Sequence, residues 1–378
     1  MEHSLMLPNQ EPYGALYIHV PFCKQRCLYC DFATQSIDYA SPELRAYTDD
    51  MILAIRRAGR NELLGGVRTV YMGGGTPTFL GQKYLTELFY TLSLTMHLTE
   101  DVECSIEANP DSLDGRMVRD LWALGVNRLS IGVQSFNDAE LQALGRIHTA
   151  KQARDALAAA KERFENVSVD LMCGIPGQNL ESFRRSLEEA ISLGAMHISV
   201  YPLTIEEGTP FANMVAAGEM PDVDSDFQAD CMELAAEVLQ AAGMQRYEVA
   251  SYARPGFECR HNIAYWTGVP YLGLGKGAIS MAQNSEARFR FDSGGEVQEE
   301  LTAVEALAED LMLGMRMTVG IGPELIDRAR QTFASFDEVC DELIERGLAR
   351  WEGDRLVPTT QGWLCGNELF ATLLDLAP

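Results

Sequence analysis

Six short runs of β-branched and apolar residues, each followed by a stretch with helical spacing, limit the fold more than any other feature of the chain. They read Y-I-H-V at 17–20, R-T-V-Y-M at 68–72, V-E-C-S-I-E at 102–107, R-L-S-I-G-V at 128–133, V-S-V-D-L-M at 167–172 and H-I-S-V-Y at 197–201. Ser41 and Pro42 supply an N-cap and a first-turn proline for a helix ending near Gly59. Further helices are expected near 82–96, 114–124, 138–144, 150–163 and 180–193. Apolar strands alternating with helices mean a parallel sheet covered on both faces. In β/α barrels the working residues sit at the C-terminal ends of the strands. The unusual residues of this chain fall there: Cys23 to Cys30 after the first run, Gly73 to Thr76 after the second, then Glu107, Gln134 and Asp170. Six units rather than eight predict an α/β fold in the form of an open, partial (β/α)6 barrel.

The loop after the first run, P-F-C-K-Q-R-C-L-Y-C, places Cys23, Cys27 and Cys30 within eight residues. Thiolates so close together suit a soft metal or an iron-sulfur cluster. A structural zinc would require a fourth protein ligand, and a second C-x-x-C pair downstream is absent. A four-iron cubane on three cysteines leaves one iron open to an outside ligand. The G-G-G-T-P run at 73–77 lets backbone approach a ligand closely, because glycine has no side chain to obstruct it. Taken alone it reads equally as an ordinary tight turn.

Composition narrows the partners. The net charge of −25 argues against nucleic acid, whose phosphates need clustered Lys and Arg. Hydrophobic residues make up 47%, enough for a large core. The N-terminal M-E-H-S-L-M-L-P-N-Q has neither a basic start nor an apolar run, and no stretch reaches the length of a membrane span. A cytoplasmic protein is expected, with peripheral membrane contact left open. In a reducing compartment Cys104, Cys173, Cys231, Cys259, Cys340 and Cys365 read as free thiols.

Beyond residue 204 the alternation loosens. A helix near 224–242 closes at Gly243, and the later Y-L-G-L-G-K-G-A lacks P-loop spacing, so it reads as a tight backbone passage. Helices near 303–317, 323–331 and 336–346 precede a hairpin at 347–359 with its turn near Glu352 to Asp354, an order that resembles a winged helix. Without a basic face, packing or lid duty suits this part better than reading DNA. Three regions follow: a barrel core at 1–205, a barrel extension at 206–300, and a mainly helical, winged-helix-like domain at 301–378.

The C-x3-C-x2-C spacing, with Tyr29 before the last cysteine, resembles the radical S-adenosylmethionine (radical SAM) superfamily. In that family the open iron binds the amino and carboxylate groups of SAM, and an electron from the cluster cleaves the sulfonium to a 5′-deoxyadenosyl radical. Y-I-H-V-P-F-C, G-G-G-T-P, I-E-A-N-P, G-V-Q-S-F, L-G-R-I-H and H-N-x-x-Y-W together resemble one branch, the oxygen-independent coproporphyrinogen III oxidases and the related HemW heme chaperones, over nearly the whole chain. The resemblance implies a [4Fe-4S] cluster on Cys23, Cys27 and Cys30, and SAM against Tyr17, Tyr29, Gly74 and Glu107. Gly75, Thr76, Gln134, Arg146 and Asp170 match positions that line a second SAM pocket in the oxidases.

Two departures bear on function. The oxidases carry a fourth cysteine where this chain has Phe32, which is the chaperone-like pattern. The chaperones commonly show G-A-H-G where this chain has G-A-I-S, with Ile279 at the histidine position, which leaves His261 as a heme ligand or docking residue. A structural reading of His261 stands beside that one, in which it bonds a loop while Tyr265 and Trp266 plug the open side of the barrel. The resemblance implies a heme chaperone that passes heme to an acceptor protein and depends on an electron donor. The enzymatic alternative is SAM-dependent oxidative decarboxylation of coproporphyrinogen III. A redox iron-sulfur protein indifferent to SAM leaves Gly73 to Thr76, Glu107 and Asp170 unexplained.

Overall fold

A computed structural model describes residues 9–60, 62–96 and 98–378. Its centre is a twelve-stranded sheet whose middle holds the six expected strands: β1 (Ala15–Val20), β2 (Val67–Gly74), β3 (Leu98–Ala108), β4 (Arg128–Gln134), β5 (Asn166–Cys173) and β6 (His197–Pro202). They lie side by side in chain order and pair in parallel throughout. Helices α1 (Glu43–Ala58), α2 (Gly81–Thr95), α3 (Gly115–Ala123), α4 (Asp138–Ala143), α5 (Ala150–Lys161) and α6 (Leu180–Ser192) fill the crossovers. Pro42 occupies the cap position of α1, one place earlier than expected, while the Ser41 hydroxyl accepts from the Glu43 N–H at 3.2 Å.

The two faces of these strands differ in chemistry. Leu129, Ile131 and Val133 of β4 and Val167, Val169 and Leu171 of β5 are fully buried, within one core shared with Leu121 of α3, Leu157 of α5 and Leu187 of α6. The alternate positions carry Arg128, Ser130, Gly132 and Gln134 on β4, Asp170 on β5 and Ser199 on β6, and these line a cavity. Successive side chains of a strand point to opposite faces, so one sequence builds an apolar jacket outside and a polar lumen inside.

The sheet extends past the six strands on both edges. On one side β8 (Ser251–Ala253) pairs antiparallel with β6 and β7 (Gln245–Arg246) antiparallel with β8, after α7 (Pro210–Ala216) and α8 (Ser225–Ala241). On the other, β9 (Tyr271–Leu274) pairs in parallel with β1, and β10 (Ile279–Gln283), β11 (Ala287–Asp292) and β12 (Val297–Thr302) continue as an antiparallel meander. The parallel run therefore has seven strands, not six, and the irregular reading of this region missed them because glycines interrupt β9 and charges fill β11 and β12. The G-L-G-K-G passage ends β9 and opens the turn to β10. A side chain at Gly275, where φ is +100°, would meet the His19 carbonyl at 2.6 Å, so the run does serve close backbone packing.

Between the edges, α9 (Arg260–Trp266) carries the H-N-I-A-Y-W motif. Its N-terminal N–H groups at Arg260 and His261 donate to the buried Glu103 carboxylate of β3 at 2.9 and 3.0 Å. A carboxylate is favoured there by the helix dipole.

The C-terminal part has α10 (Ala303–Gly314), α11 (Pro323–Thr332), α12 (Phe336–Glu345), the hairpin β13 (Ala349–Glu352) and β14 (Arg355–Pro358), α13 (Thr360–Leu364) and α14 (Gly366–Leu374). This is the expected helix, helix, wing order, packed on its own core around Leu311, Phe336, Leu343 and Leu369. Buried Arg288 of β11 joins the meander to α10 through Glu309 at 2.5 Å and Asp310 at 2.6 Å. No helix among the described residues is long and apolar enough to cross a membrane.

Candidate cofactor site

The three thiols lie on the loop after β1, which is tied to the barrel from several directions. The N–H of Leu28 donates to the Leu144 carbonyl, and the N–H of Phe211 donates to the Leu28 carbonyl, both at 3.1 Å. His19 pins the far end: its Nε2–H donates to the Ala33 carbonyl at 3.1 Å, so its Nδ1 accepts from the Tyr17 hydroxyl at 3.0 Å. All nine cysteines are free thiols. Among the described residues no three His, Cys, Asp or Glu side chains converge on a single ion. A polynuclear cluster takes each thiolate on a different iron and does not ask them to converge.

Cys23, Cys27 and Cys30 form one end of a cavity of about 360 Å³. Tyr29, Gly74, Gly75, Glu107, Gln134, Arg146 and Asp170 line its remaining walls, so most of the residues singled out from sequence meet around one space. A hydrogen-bonded chain links Cys23 to Cys27. The Thr76 hydroxyl donates to Cys23 Sγ at 3.6 Å and accepts from Asn109 at 2.7 Å, while Arg146 donates to Asn109 and the Gly132 carbonyl at 2.6 Å and to Cys27 Sγ at 3.4 Å. Burial pushes the Cys23 thiol up to about 11, so a metal arriving there must displace its proton.

Glu107 organises the wall beside Gly74. Its carboxylate accepts from the Tyr71 hydroxyl at 2.9 Å and from the Gly74 N–H at 3.0 Å. Burial, and next the charge of Asp170, raise its pKa to about 7. Asp170 accepts from Ser130 at 3.1 Å and is raised by burial in turn. Gly74 holds φ at +110°, and a Cβ there would stand 2.5 Å from the His19 ring. The glycine is thus required by the loop's own packing as well as by any ligand. Gln134 is one of two non-glycine residues with positive φ among those described, at 65°, a strained geometry at a strand end that often accompanies a binding site.

Three of the residues expected to touch a ligand stand behind the walls. Tyr17 packs on Tyr71 with ring centres 6.3 Å apart, and Thr76 acts through Cys23 and Asn109. His261 is 1% exposed and both its nitrogens are engaged, Nδ1 with Thr69 and Nε2 with Tyr265, each at 2.9 Å. Burial, aided by the charge of Arg128, lowers its pKa to about 3, which leaves a neutral ring. Neither nitrogen presents a free lone pair to an iron in this arrangement, in which His261 ties α9 to Thr69 of β2. Conversely Tyr71, Arg128, Ser130 and Tyr201 line the cavity and were not singled out. Their signal was available as polar residues at every second position of otherwise apolar strands.

Comparison with known proteins places this arrangement. The Radical SAM superfamily profile matches residues 17–190. The heme chaperone HemW of Bacillus subtilis is 34% identical over 376 residues, covering 95% of this chain and 98% of that one. The heme chaperone HemW of Mycobacterium tuberculosis is 36% identical, covering 97% and 96%, and that of Escherichia coli is 39% identical over 71% and 70%. The solved structure of coproporphyrinogen III oxidase (HemN) from Escherichia coli, a radical SAM enzyme, superposes with a TM-score of 0.78 at 22% identity, covering 97% of this chain and 90% of that one, which speaks to the fold. With three thiols at the mouth of a partial barrel and relatives of this identity along its full length, the chain belongs to the HemW family of the radical SAM superfamily.

Proposed function

We propose that this chain carries a [4Fe-4S] cluster on Cys23, Cys27 and Cys30, holds SAM in the cavity beside it, and binds heme for delivery to an acceptor protein. The thiols supply soft ligands at one end of the cavity, and the glycine turn at Gly74 and Gly75 borders that end. When bound, the cluster supplies an open iron and an electron. Glu107 offers an acceptor to the SAM ammonium, while Gln134, Arg146 and Asp170 offer polar contacts on the same walls. The residue ranges 1–205, 206–300 and 301–378 serve in this reading as cofactor barrel, extension and accessory domain. The protein works in the cytoplasm with an external electron donor.

The observation that carries the chaperone reading is Phe32. It takes the place of the oxidases' fourth cysteine, lines the cavity and is 62% exposed. Tyr201, 42% exposed, lines the same cavity. Two accessible aromatic rings lining one cavity suit a flat macrocycle better than a fourth thiol does. The test is anaerobic heme titration of cluster-loaded protein, followed by transfer to an apo heme protein, set beside turnover of coproporphyrinogen III with SAM and a reductant. Heme binding and transfer without decarboxylation are expected. Decarboxylation without heme binding would overturn the reading in favour of the oxidase.

A further inference from the structure

Arg128 opens β4 and is 2% exposed, among the largest fully buried side chains of the protein. Its Nε and Nη1 nevertheless have no hydrogen-bond partner, and the residue lines the cavity. A guanidinium has five N–H donors and stays charged inside a protein, so donors left idle in a low-dielectric interior carry a large desolvation cost. The nearby carboxylates are engaged elsewhere. Glu103 accepts from the backbone of α9, Glu107 from Tyr71 and Gly74, and Asp170 from Ser130. Arg146, which shares the wall, has its donors placed on Cys27, Asn109 and Gly132. Arg128 alone of the two holds N–H groups in reserve.

We infer that Arg128 receives a carboxylate of the ligand that fills this cavity, through the N–H groups that the protein leaves unpartnered. Guanidinium matches carboxylate in planarity and donor geometry, and the pairing would give Nε and Nη1 the hydrogen-bond acceptor that the wall does not supply. Two molecules in the proposed function carry such a group, SAM on its aminoacyl part and heme on its propionate arms. Naming those two sources rests on the proposed function; the idle donors of Arg128 do not.

The test uses the full chain with its cluster loaded anaerobically, as wild type, Arg128→Met and Arg128→Lys. Each is titrated with SAM against SAM methyl ester, and with protoporphyrin IX against its dimethyl ester. Because the SAM carboxylate also meets the open iron, the readout is the change in acid-to-ester affinity ratio between wild type and variant. In one of the two pairs that ratio should fall tenfold or more in Arg128→Met, with Arg128→Lys keeping part of it, and that pair identifies the source. Cluster content should stay at the wild-type level. Unchanged ratios in both pairs would overturn the inference. If Arg128→Met does not fold, the ratio for Arg128→Lys decides in the same way, because a point charge cannot reproduce the planar donors. Failure of wild type to bind any porphyrin would count against heme delivery and leave the SAM pair to judge Arg128.

Discussion

Replacing Glu107 by Gln should make the protein more stable at pH 8 and leave it unchanged near pH 4.5. The folded pKa of about 7, against 4.5 for an ordinary glutamate, means that between these values the folded carboxyl is protonated while the unfolded one is ionised. The folded state then binds more protons, so stability falls as pH rises through that window and the whole penalty is present above pH 7. At about 1.4 kcal/mol per unit, the rise corresponds to a ceiling of about 3 kcal/mol. Water in the cavity, which Glu107 lines, lowers it. Gln keeps both hydrogen bonds, because its oxygen accepts from the Gly74 N–H and its amide donates to the Tyr71 hydroxyl, so removal of the charge is the main change. Urea unfolding of cluster-loaded protein, kept anaerobic from pH 4.5 to 8, measures the difference. Asp170→Asn should shrink it, since the Asp170 charge is the second cause of the shift. A variant no more stable than wild type at pH 8, or a gain that does not vary with pH, would refute the argument. SAM with its ammonium against Glu107 should flatten the wild-type slope.

Three further outcomes are expected. Joint replacement of Cys23, Cys27 and Cys30 by Ala should abolish bound iron and sulfide, while Cys104→Ala and Cys365→Ala retain them, as quantified by iron and acid-labile sulfide analysis. Gly74→Val should lower cluster content as well as SAM affinity, because the new Cβ meets the His19 ring that pins the loop; a variant with full cluster content and only weakened SAM binding would count against the packing role. His261→Ala should leave the Soret band of heme-loaded protein and its cluster in place but cost about 2–4 kcal/mol of stability, by stranding the Thr69 and Tyr265 hydroxyls beside a cavity. A lost Soret band with unchanged stability would restore it as a heme ligand.

The alternation of runs at 17–20, 68–72, 102–107, 128–133, 167–172 and 197–201 revealed the barrel because parallel strands jacketed by helices need apolar residues at fixed spacing. Strands β9 to β12 were not legible for the opposite reason. Y-L-G-L is broken by glycine, and A-R-F-R-F-D and V-Q-E-E-L-T are held by cross-strand pairing and by ion pairs to α10, which local pattern does not disclose. The cavity's thiols and glycines could be read from their spacing, since a cluster loop concentrates its residues in sequence. Arg128 and Tyr71 could not, because their proximity depends on strand register: Tyr71 faces Ser105 across one ladder, and Ser105 faces Arg128 across the next. The two hydrogen-bond partners of His261 lie 192 and 4 residues away, so the sequence exposed only Tyr265 beside it and not Thr69.

The contact of Gly275 and Gly277 with His19 and Ala33 sets a schedule for the nascent chain. The cysteine loop leaves the ribosome early, but the turn that buttresses it follows roughly 250 residues later, which at about 5–20 residues per second is on the order of 10–50 s of synthesis. Throughout that interval β1 has an open edge where β9 will pair, and the three thiols lack one wall of their support. A chain stalled before residue 270 should therefore leave Cys23, Cys27 and Cys30 open to alkylation, whereas protection in such a chain would show that the loop orders without the glycine turn. On this schedule the cluster loop gains its last support when the turn at Gly275 to Gly277 has emerged, not when its cysteines do.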